Sequence, residues 1–388
     1  MTTSHWLRQH SFRTPDITTD VLIVGGGYVG LSTAYWLTEM RPDLKITVLE
    51  RNQCGAGASG RNAGFLTKGS ASFFKSLTQK WGVEKAQSIY NFAEESLELV
   101  HQHILRASPE IKFERSSSVT LFQNEKQFQE WGTKEFNPTD FKFEWREQEK
   151  LPVPLQAKFF GAFENAPEYK INPMQLLGSI KKLLEVRKVQ IIENVSAFEL
   201  TPEGVQTEVN TIKAKQIVLA LNGYFPQFSS IFKDVIVPRR AQMLAVEIED
   251  EFNCPGLHYD PPERVYWRKT QDKVLVIGGK RLLDEQGETG DFEKISPVIQ
   301  RGLEQYLKEQ LNLKYKVIHR WSGTMGFTDH ELPLIAKASA PTETFIVGGF
   351  SGHGMGLGFR SAMDVAELVT RQKSESFFGA FKKVDFKL

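Results

Sequence analysis

Residues 20–40, DVLIVGGGYVGLSTAYWLTEM, decide the fold. An apolar run typical of a buried parallel strand leads into three glycines, and a helical pattern follows that ends before Pro42. Gly25, Gly27 and Gly30 have the spacing GxGxxG. The first glycine permits a tight turn, the second a close approach of backbone to a pyrophosphate, and the third close packing of helix on strand. The stretch therefore predicts a dinucleotide-binding βαβ unit.

The segment after this unit indicates which dinucleotide is bound. The second strand, KITVLE, ends at Glu50, where a carboxylate accepts hydrogen bonds from a ribose diol and repels a 2′-phosphate. FAD or NAD is therefore expected, and NADP is not. The next segment, GAGASGRNAGF at 55–65, offers many backbone N–H donors. A second glycine-rich loop favours FAD over NAD, because protein residues must also surround the flavin ring of FAD.

Composition limits the class of protein. The chain has 388 residues, of which 40% are hydrophobic and 24% charged, as in ordinary globular proteins. A net charge of +1 argues against a nucleic-acid partner. The two cysteines have neither a disulfide nor a metal-ligand pattern and fit a reducing compartment. With no apolar signal region and no membrane-length apolar window, we expect a cytoplasmic protein without a bound metal.

Strand and helix patterns alternate at both ends of the chain, and the middle is rich in strands. This order predicts an α/β protein, with a Rossmann-like domain interrupted by an inserted antiparallel-sheet domain. We place the FAD-binding domain at 1–75, 150–235 and 315–388, and the substrate domain at 76–149 and 236–314. Long helices are predicted at 83–105 and 293–312.

A second glycine-rich segment, GGFSGHGMGLG at 348–358, stands directly before a helical pattern near the end of the chain. Together with SHWL, DVLIVGGGYVGLSTAYWL, GASGRNAGF, KQIVLALNGY and WSGTMGFTDHELPLI, it resembles the FAD-dependent D-amino-acid-oxidase/glycine-oxidase superfamily. Within that superfamily the resemblance is strongest to the γ-glutamylputrescine oxidoreductase type of amine oxidase. The resemblance implies that the late glycine loop crosses the flavin ring, with its helix N-terminus pointing at the ring.

The resemblance also implies an activity. The expected reaction is FAD-dependent oxidation of the C–N bond of a primary or secondary amine to an imine, by hydride transfer to flavin N5. Oxygen or a quinone would accept the electrons, and Val276 stands where the family carries an oxygen-activating lysine. The FAD is expected to be non-covalent, because WSGTMGFTDHELPLI contains no cysteine. Two alternatives stay open: an amino-acid dehydrogenase that passes electrons to a quinone, and a non-catalytic flavin-bound assembly protein.

The cofactor-binding candidates come from the two glycine segments, from Glu50 and from family positions carried over by the resemblance. Arg61 is either a site residue or a local structural anchor. The candidates are Gly25, Gly27, Tyr28, Val29, Gly30, Glu50, Arg51, Ala58, Ser59, Gly60, Arg61, Asn62, Ala63, Gly64, Phe65, Val195, Asn222, Gly223, Gly352, His353, Gly354, Met355, Gly356 and Leu357.

Four residues are catalytic-site candidates: His353, Lys280, Tyr266 and Met325. Family members that oxidise amino acids often hold the carboxylate with a basic residue at the place of Met325 or of Gly356; neither is basic here. An amine without an adjacent carboxylate is therefore favoured. Lys280 either binds a remote carboxylate or is a solvated lysine, and His353 either tunes the site or is structural. Tyr266 and its neighbour are expected to face opposite sides of a strand.

Overall fold

The structure, a computed structural model, describes residues 16–131, 136–248, 251–270, 273–380 and 388. The SHWL segment lies outside these residues. The strands are β1 (Ile17–Val24), β2 (Ile46–Leu49), β3 (Phe65–Leu66), β4 (Phe113–Phe122), β5 (Glu144–Glu147), β6 (Gly161–Ile171), β7 (Gln190–Ile192), β8 (Ala197–Thr201), β9 (Gly204–Thr207), β10 (Thr211–Leu219), β11 (Val237–Ile248), β12 (Leu257–Asp260), β13 (Val265–Lys269), β14 (Val274–Gly279), β15 (Tyr315–Phe327), β16 (Leu334–Ala338) and β17 (Glu343–Gly348).

Helices connect and cover these strands. In chain order they are α1 (Tyr28–Met40), α2 (Ala58–Arg61), α3 (Ala71–Trp81), α4 (Val83–Val100), α5 (Glu125–Gln129), α6 (Val153–Gln156), α7 (Pro173–Val186), α8 (Phe225–Phe228), α9 (Pro297–Glu309) and α10 (Gly354–Val369).

The first sheet is built on the opening strand of the chain. Its order is β16-β17-β10-β1-β2-β7, with β8 and β9 attached beside β10. The strands from β17 to β7 along this path run parallel, and β16 is an antiparallel edge strand. One face packs on α1, α4 and α10, and the other carries a separate apolar cluster that includes Phe225 and Phe232. Burial on both faces explains why these strands read as continuous apolar runs.

The second sheet is mainly antiparallel. Its order is β15-β11-β14-β13-β12-β4-β6-β3, with β5 paired to β6, and β12 runs parallel to β4. One face packs on α9 through apolar side chains such as Leu244, Trp267 and Leu303. The opposite face turns toward the first sheet, so this sheet can contribute side chains to a site between the two.

The predicted fold class is confirmed by this pairing of a parallel and an antiparallel sheet. The helix expected at 83–105 is α4 continued by a π-helical turn, and the helix expected at 293–312 begins at Pro297, a residue suited to the first helical position. The domain division stays a prediction. Three strands that it assigns to the FAD domain, β3, β6 and β15, pair in the second sheet instead, because strand pairing is decided by distant partners.

Close packing at Gly30 fixes helix α1 against the turn that precedes it. A Cβ at this position would overlap the carbonyl oxygen of Gly25 and would also reach Ile23. Backbone cannot move aside as a side chain can, so this contact requires glycine. Gly178 on α7 offers a matched contrast, since a Cβ there would meet nothing within 4 Å.

Gly30→Ala is expected to lower the free energy of unfolding by about 2 to 4 kcal/mol, because the added methyl overpacks backbone. The control Gly178→Ala removes a glycine from an open helix position and is expected to raise stability by about 0.5 to 1 kcal/mol. Urea unfolding of both variants measures the difference. Equal stabilities of the two variants would contradict the packing argument.

Candidate active site

A cleft of about 680 Å³ lies between the two sheets. It opens at the carboxyl ends of the parallel strands, where Val24, Leu49, Ala220 and Val347 line it. Ligands of open α/β sheets bind at this edge, and the volume suits a ligand larger than a simple metabolite. Both glycine-rich segments and the cleft-facing side of the second sheet contribute to the lining.

The first glycine segment leaves backbone accessible at one wall. Gly25 has a positive φ of 115° and forms the turn after β1. At Gly27 a Cβ would meet only the Ser59 hydroxyl, at 3.1 Å, so the side facing the cleft is open. Helix α1 has no side-chain cap, and the Tyr28 N–H donates to Ser59 Oγ at 2.8 Å. An uncapped helix N-terminus beside an open glycine suits a pyrophosphate.

Glu50 lies at the end of β2 as the spacing predicts. Its two carboxylate oxygens accept hydrogen bonds from the Gly26 and Asn52 N–H groups, at 2.8 and 2.9 Å. Its carbonyl accepts the Val195 N–H at 3.1 Å, which brings Val195 to the same wall. The carboxylate is thus held in place at the cleft edge, with lone pairs left for a ribose diol.

Arg51, the residue after Glu50, stacks on the Tyr224 ring at the same end of the cleft. Its guanidinium lies 4.2 Å from the centre of the Tyr224 ring and is hydrogen-bonded to Gln227. The Tyr224 hydroxyl donates to Glu293 at 2.8 Å, which links this end to the loop before α9. A flat cation stacked on an aromatic ring offers a surface for a further planar ring.

Arg61 is an anchor as well as a lining residue. Its Nε donates to the Ala56 carbonyl at 2.7 Å, its Nη1 donates to the Ser322 carbonyl at 3.1 Å, and Glu293 lies 4.0 Å away. These contacts tie α2 to β15. Because the guanidinium is already engaged, it is not free for a substrate carboxylate.

The second glycine segment forms the opposite wall. Gly352 has a φ of 91°, and a Cβ there would meet only the Met325 sulfur, at 3.9 Å. His353 stacks on Phe73 with ring centres 3.5 Å apart, and its Nδ1 lies 3.1 Å from the Ser351 carbonyl. Burial lowers the pKa of His353 to about 4, so the ring is neutral at pH 7. Helix α10 begins next, also without a side-chain cap.

The second sheet supplies the floor near this wall. Tyr266 lines the cleft, whereas Trp267 points to the opposite face and stacks on His258 at 3.8 Å. The alternation along β13 thus follows the predicted pattern. Met325 on β15 also lines the cleft, close to Gly352. Tyr266, Met325 and His353 thus line the same cleft, and Met325 lies close to the loop that carries His353.

Lys280 is not part of this lining. It follows β14 with a left-handed backbone, φ 58°, and its ammonium pairs with Glu263 and lies 5.7 Å from the Tyr306 ring. Its ammonium is engaged with Glu263 outside the cleft lining. The expectation that Lys280 contacts the substrate is therefore not supported by its placement.

Five cofactor candidates do not line the cleft. Four of them are glycines that allow close backbone packing. A Cβ at Gly30, Gly60 or Gly64 would collide with the carbonyl oxygen of Gly25, Gly55 or Ile171, respectively, and a Cβ at Gly223 would approach the Met325 backbone. The fifth, Leu357, is buried in the core. These candidates are Gly30, Gly60, Gly64, Gly223 and Leu357. The other cofactor candidates all line it.

Several lining residues were missed from the sequence. Thr67, Tyr259, Phe350, Ala241 and Glu293 all face the cleft. Alternation along the predicted strand could have identified Ala241, because it lies two residues before the buried Met243 of β11 and shares its face. The tyrosine belongs to β12, a four-residue strand with no distinguishing pattern of its own.

A buried carboxylate supports the segment that carries Thr67. Glu168 on β6 is fully buried and accepts the Lys68 N–H at 3.0 Å. Burial raises the pKa of Glu168 to about 8, and the Lys68 ammonium opposes that shift. Glu94 lies 3.6 Å from the same ammonium. These side chains do not line the cleft, and the bond from Lys68 to Glu168 holds the neighbouring Thr67 segment in place.

The chain belongs to the FAD dependent oxidoreductase (DAO) family, whose profile matches residues 20–368. It is 25% identical to the probable oxidoreductase OrdL of Rhizobium meliloti, over 92% of this chain and 84% of that protein. It is also 25% identical to the gamma-glutamylputrescine oxidoreductase of Escherichia coli, over 93% and 85%. The crystal structure of L-proline dehydrogenase from P. horikoshii superposes with a TM-score of 0.76 at 18% identity, covering 95% and 97%.

Family membership makes the protein an FAD-dependent oxidoreductase and confirms the cofactor and the resemblance. The cleft fits that cofactor, since it joins two uncapped helix N-termini, two open glycines and a carboxylate in one elongated cavity. No cluster of three metal-ligating side chains occurs in the part of the chain that the structure describes. Within the same residues, no helix is long and apolar enough to cross a bilayer.

Gly27→Val is expected to abolish FAD retention while leaving the fold intact. Gly27 has a φ of −77°, which any residue adopts, so the branched side chain fills the cleft without straining backbone. Wild-type protein should be yellow and release FAD on heating, and the variant should be colourless with similar far-UV circular dichroism. A yellow variant would contradict the assignment of Gly27 to the pyrophosphate.

Acid precipitation of the wild-type protein is expected to leave a colourless pellet and a yellow supernatant. Both cysteines are buried, Cys54 under Gly26 and Cys254 beside His258, and neither lines the cleft. A yellow pellet would indicate a covalent link and would direct attention to His353, the histidine that lines the site.

Proposed function

We propose that this protein oxidises the C–N bond of a primary or secondary amine to an imine. FAD would be held by Gly25, Gly27 and Glu50 at one end and by the loop from Gly352 to Gly356 at the other. When bound, the flavin supplies the redox chemistry by accepting a hydride at N5. The residues of the chain bind and orient the substrate and exclude water.

The observation that carries this proposal is that no charged side chain lining the cleft, among the residues described, is free beside Met325 to pair with a carboxylate. The charged side chains that line the cleft, among the residues described, are Glu50, Arg51, Arg61 and Glu293. Arg51 lies against the Tyr224 ring, and Glu50 accepts hydrogen bonds from backbone N–H groups. Arg61 donates to backbone carbonyls and lies near Glu293, which accepts a hydrogen bond from the Tyr224 hydroxyl. The end formed by aromatic side chains, Met325 and a neutral His353 therefore suits an uncharged amine.

An amine must lose its proton before hydride transfer, because the ammonium has no lone pair to assist the departure of hydride. Desolvation disfavours the charged form, so an enclosed apolar site lowers the pKa of the bound amine. Met325 provides apolar surface in the cleft, as does the ring of Tyr266, whose hydroxyl is turned to the Met243 sulfur, 3.3 Å away.

The residues at the two usual positions of a carboxylate clamp, Met325 and Gly356, argue against a simple α-amino acid as the substrate. Met325 offers a thioether, which cannot pair with a carboxylate. A side chain at Gly356 would collide with the Thr67 carbonyl, so a basic residue could not be accommodated there without a shift of backbone. An α-carboxylate would lose its hydration without gaining a partner.

Anaerobic addition of amines and amino acids to the purified yellow protein tests the proposed reaction. Bleaching of the flavin absorbance by amines supports it, and bleaching by α-amino acids alone would favour the amino-acid dehydrogenase. Absence of bleaching by any of them would favour a non-catalytic role. Oxygen uptake compared with dye reduction then identifies the class of electron acceptor.

Met325→Arg is expected to raise kcat/KM for alanine relative to ethylamine by about one to two decades. A charge-assisted hydrogen bond contributes roughly 1.5 to 3 kcal/mol, and each 1.4 kcal/mol is a factor of ten in rate. The control Met325→Leu preserves apolar surface and should keep the wild-type preference for ethylamine. A wild-type enzyme that strongly prefers alanine would contradict the proposed substrate class.

A further inference from the structure

Two arginines meet on one aromatic ring beyond the end of the cleft. Arg239 on β11 and Arg281, just after β14, place their guanidinium carbons 5.7 and 4.6 Å from the centre of the Phe327 ring. Both cations are within cation–π distance of this ring. This cluster is named the arginine pair.

The arginine pair lies on the side of the second sheet that faces the cleft. Alternate residues of a strand share a face, so Arg239 lies on the face of Ala241 and Phe327 on that of Met325. Ala241 and Met325 both line the cleft. The strands are in register, with Arg239 opposite Met325. Phe327 is two residues farther along β15, roughly 7 Å at the usual rise of a strand.

The positive charge of the pair is only partly neutralised. Glu285 accepts a hydrogen bond from Arg239 Nη1 at 3.1 Å. Arg281 makes no hydrogen bond or ion pair with the residues that the structure describes, and the Nε atoms of both arginines are buried without a partner. Two cations and one carboxylate leave a net charge of about +1.

The neighbouring Arg240 has both a carboxylate and backbone carbonyl partners, although its Nε also lacks a hydrogen-bond partner. It lies on the opposite face, fully buried, with Glu288 at 3.8 Å and the Phe292 carbonyl at 3.2 Å. A buried cation without a counterion is costly, so structural arginines acquire such partners. Burial first, and then the charge of Arg239, lower the pKa of Arg281, and a bound anion would favour the charged guanidinium against both effects.

We infer that Arg281 and Arg239 form an anion subsite that holds a carboxylate on the part of the substrate remote from the reacting C–N bond. This inference rests on the proposed function. The substrate class is then an amine that carries a carboxylate several methylenes away, such as an ω-amino acid. The part of the cleft lined by the neutral His353 holds the amine, and the arginine pair holds the other terminus through charge-assisted hydrogen bonds.

Matched substrates test the subsite on the FAD-loaded protein. The pairs are 4-aminobutanoate with butylamine and 6-aminohexanoate with hexylamine, compared by kcat/KM for anaerobic bleaching. Wild-type protein is expected to prefer at least one of the two amino acids by about tenfold or more. In Arg281→Gln, kcat/KM for the preferred amino acid should fall about 10- to 100-fold, while kcat/KM for the matching alkylamine should change less than about twofold. Arg281→Lys, which keeps the charge, should recover part of the loss.

A binding measurement without turnover separates this inference from the proposed reaction. Hexanoate is titrated into the FAD-loaded protein by calorimetry, with Arg264→Gln as the control that removes a nearby exposed arginine. Binding that survives in the control and disappears in Arg281→Gln supports the subsite even if no amine is oxidised. Melting temperatures establish that each variant is folded, and Arg239→Gln provides a second test if Arg281→Gln is not.

Two outcomes would overturn the subsite while the amine-oxidising function stands. In the first, alkylamines are oxidised and the carboxylate brings no preference in the wild type. In the second, Arg281→Gln lowers kcat/KM for the amino acid and for its alkylamine by the same factor. A strong preference for α-amino acids would overturn both the remote placement and the proposed substrate class.

Discussion

The contact between α1 and α10 determines where the site forms. The Trp36 indole N–H donates to the Phe359 carbonyl at 3.0 Å, and at Gly358 a Cβ would lie 3.0 Å from the Tyr28 ring. Helices from opposite ends of the chain thus pack closely on one face of the parallel sheet. Their N-termini reach the same cleft, and both lack side-chain caps. Two positive helix ends in one cavity suit an anionic, elongated cofactor.

The charged, glycine-rich and apolar parts of the lining divide the site into regions that suit different parts of the bound molecules. Glu50 and Arg51 lie where the parallel strands end and suit the adenosine part of FAD. The central wall is glycine backbone, which leaves room for a flat ring. The far end is apolar and contains His353 in its neutral form. The buried Glu168 and Lys68 stay behind the wall, where they support it without placing charge inside.

The arginine pair gives a reason for the missing carboxylate clamps. A substrate whose anionic group lies far from the reacting carbon has no need of a basic residue at 325 or 356. A clamp at those places would hold an α-amino acid, whereas Arg281 selects on the length of the substrate. Specificity would then come from the distance between a neutral pocket and a fixed positive charge.

The sequence determined the features that depend on local conformation. The GxGxxG turn, the position of Glu50 and the glycine loop before α10 are encoded in short stretches, because φ preference and strand–helix order are local properties. Only the tertiary structure decided which strands pair and which face each side chain takes. β3, β6 and β15 joined the second sheet, and Lys280 pairs with Glu263 outside the cleft lining. Arg239 and Arg281, 42 positions apart, meet on Phe327 through strand pairing between distant segments, and no spacing within the sequence predicts that contact.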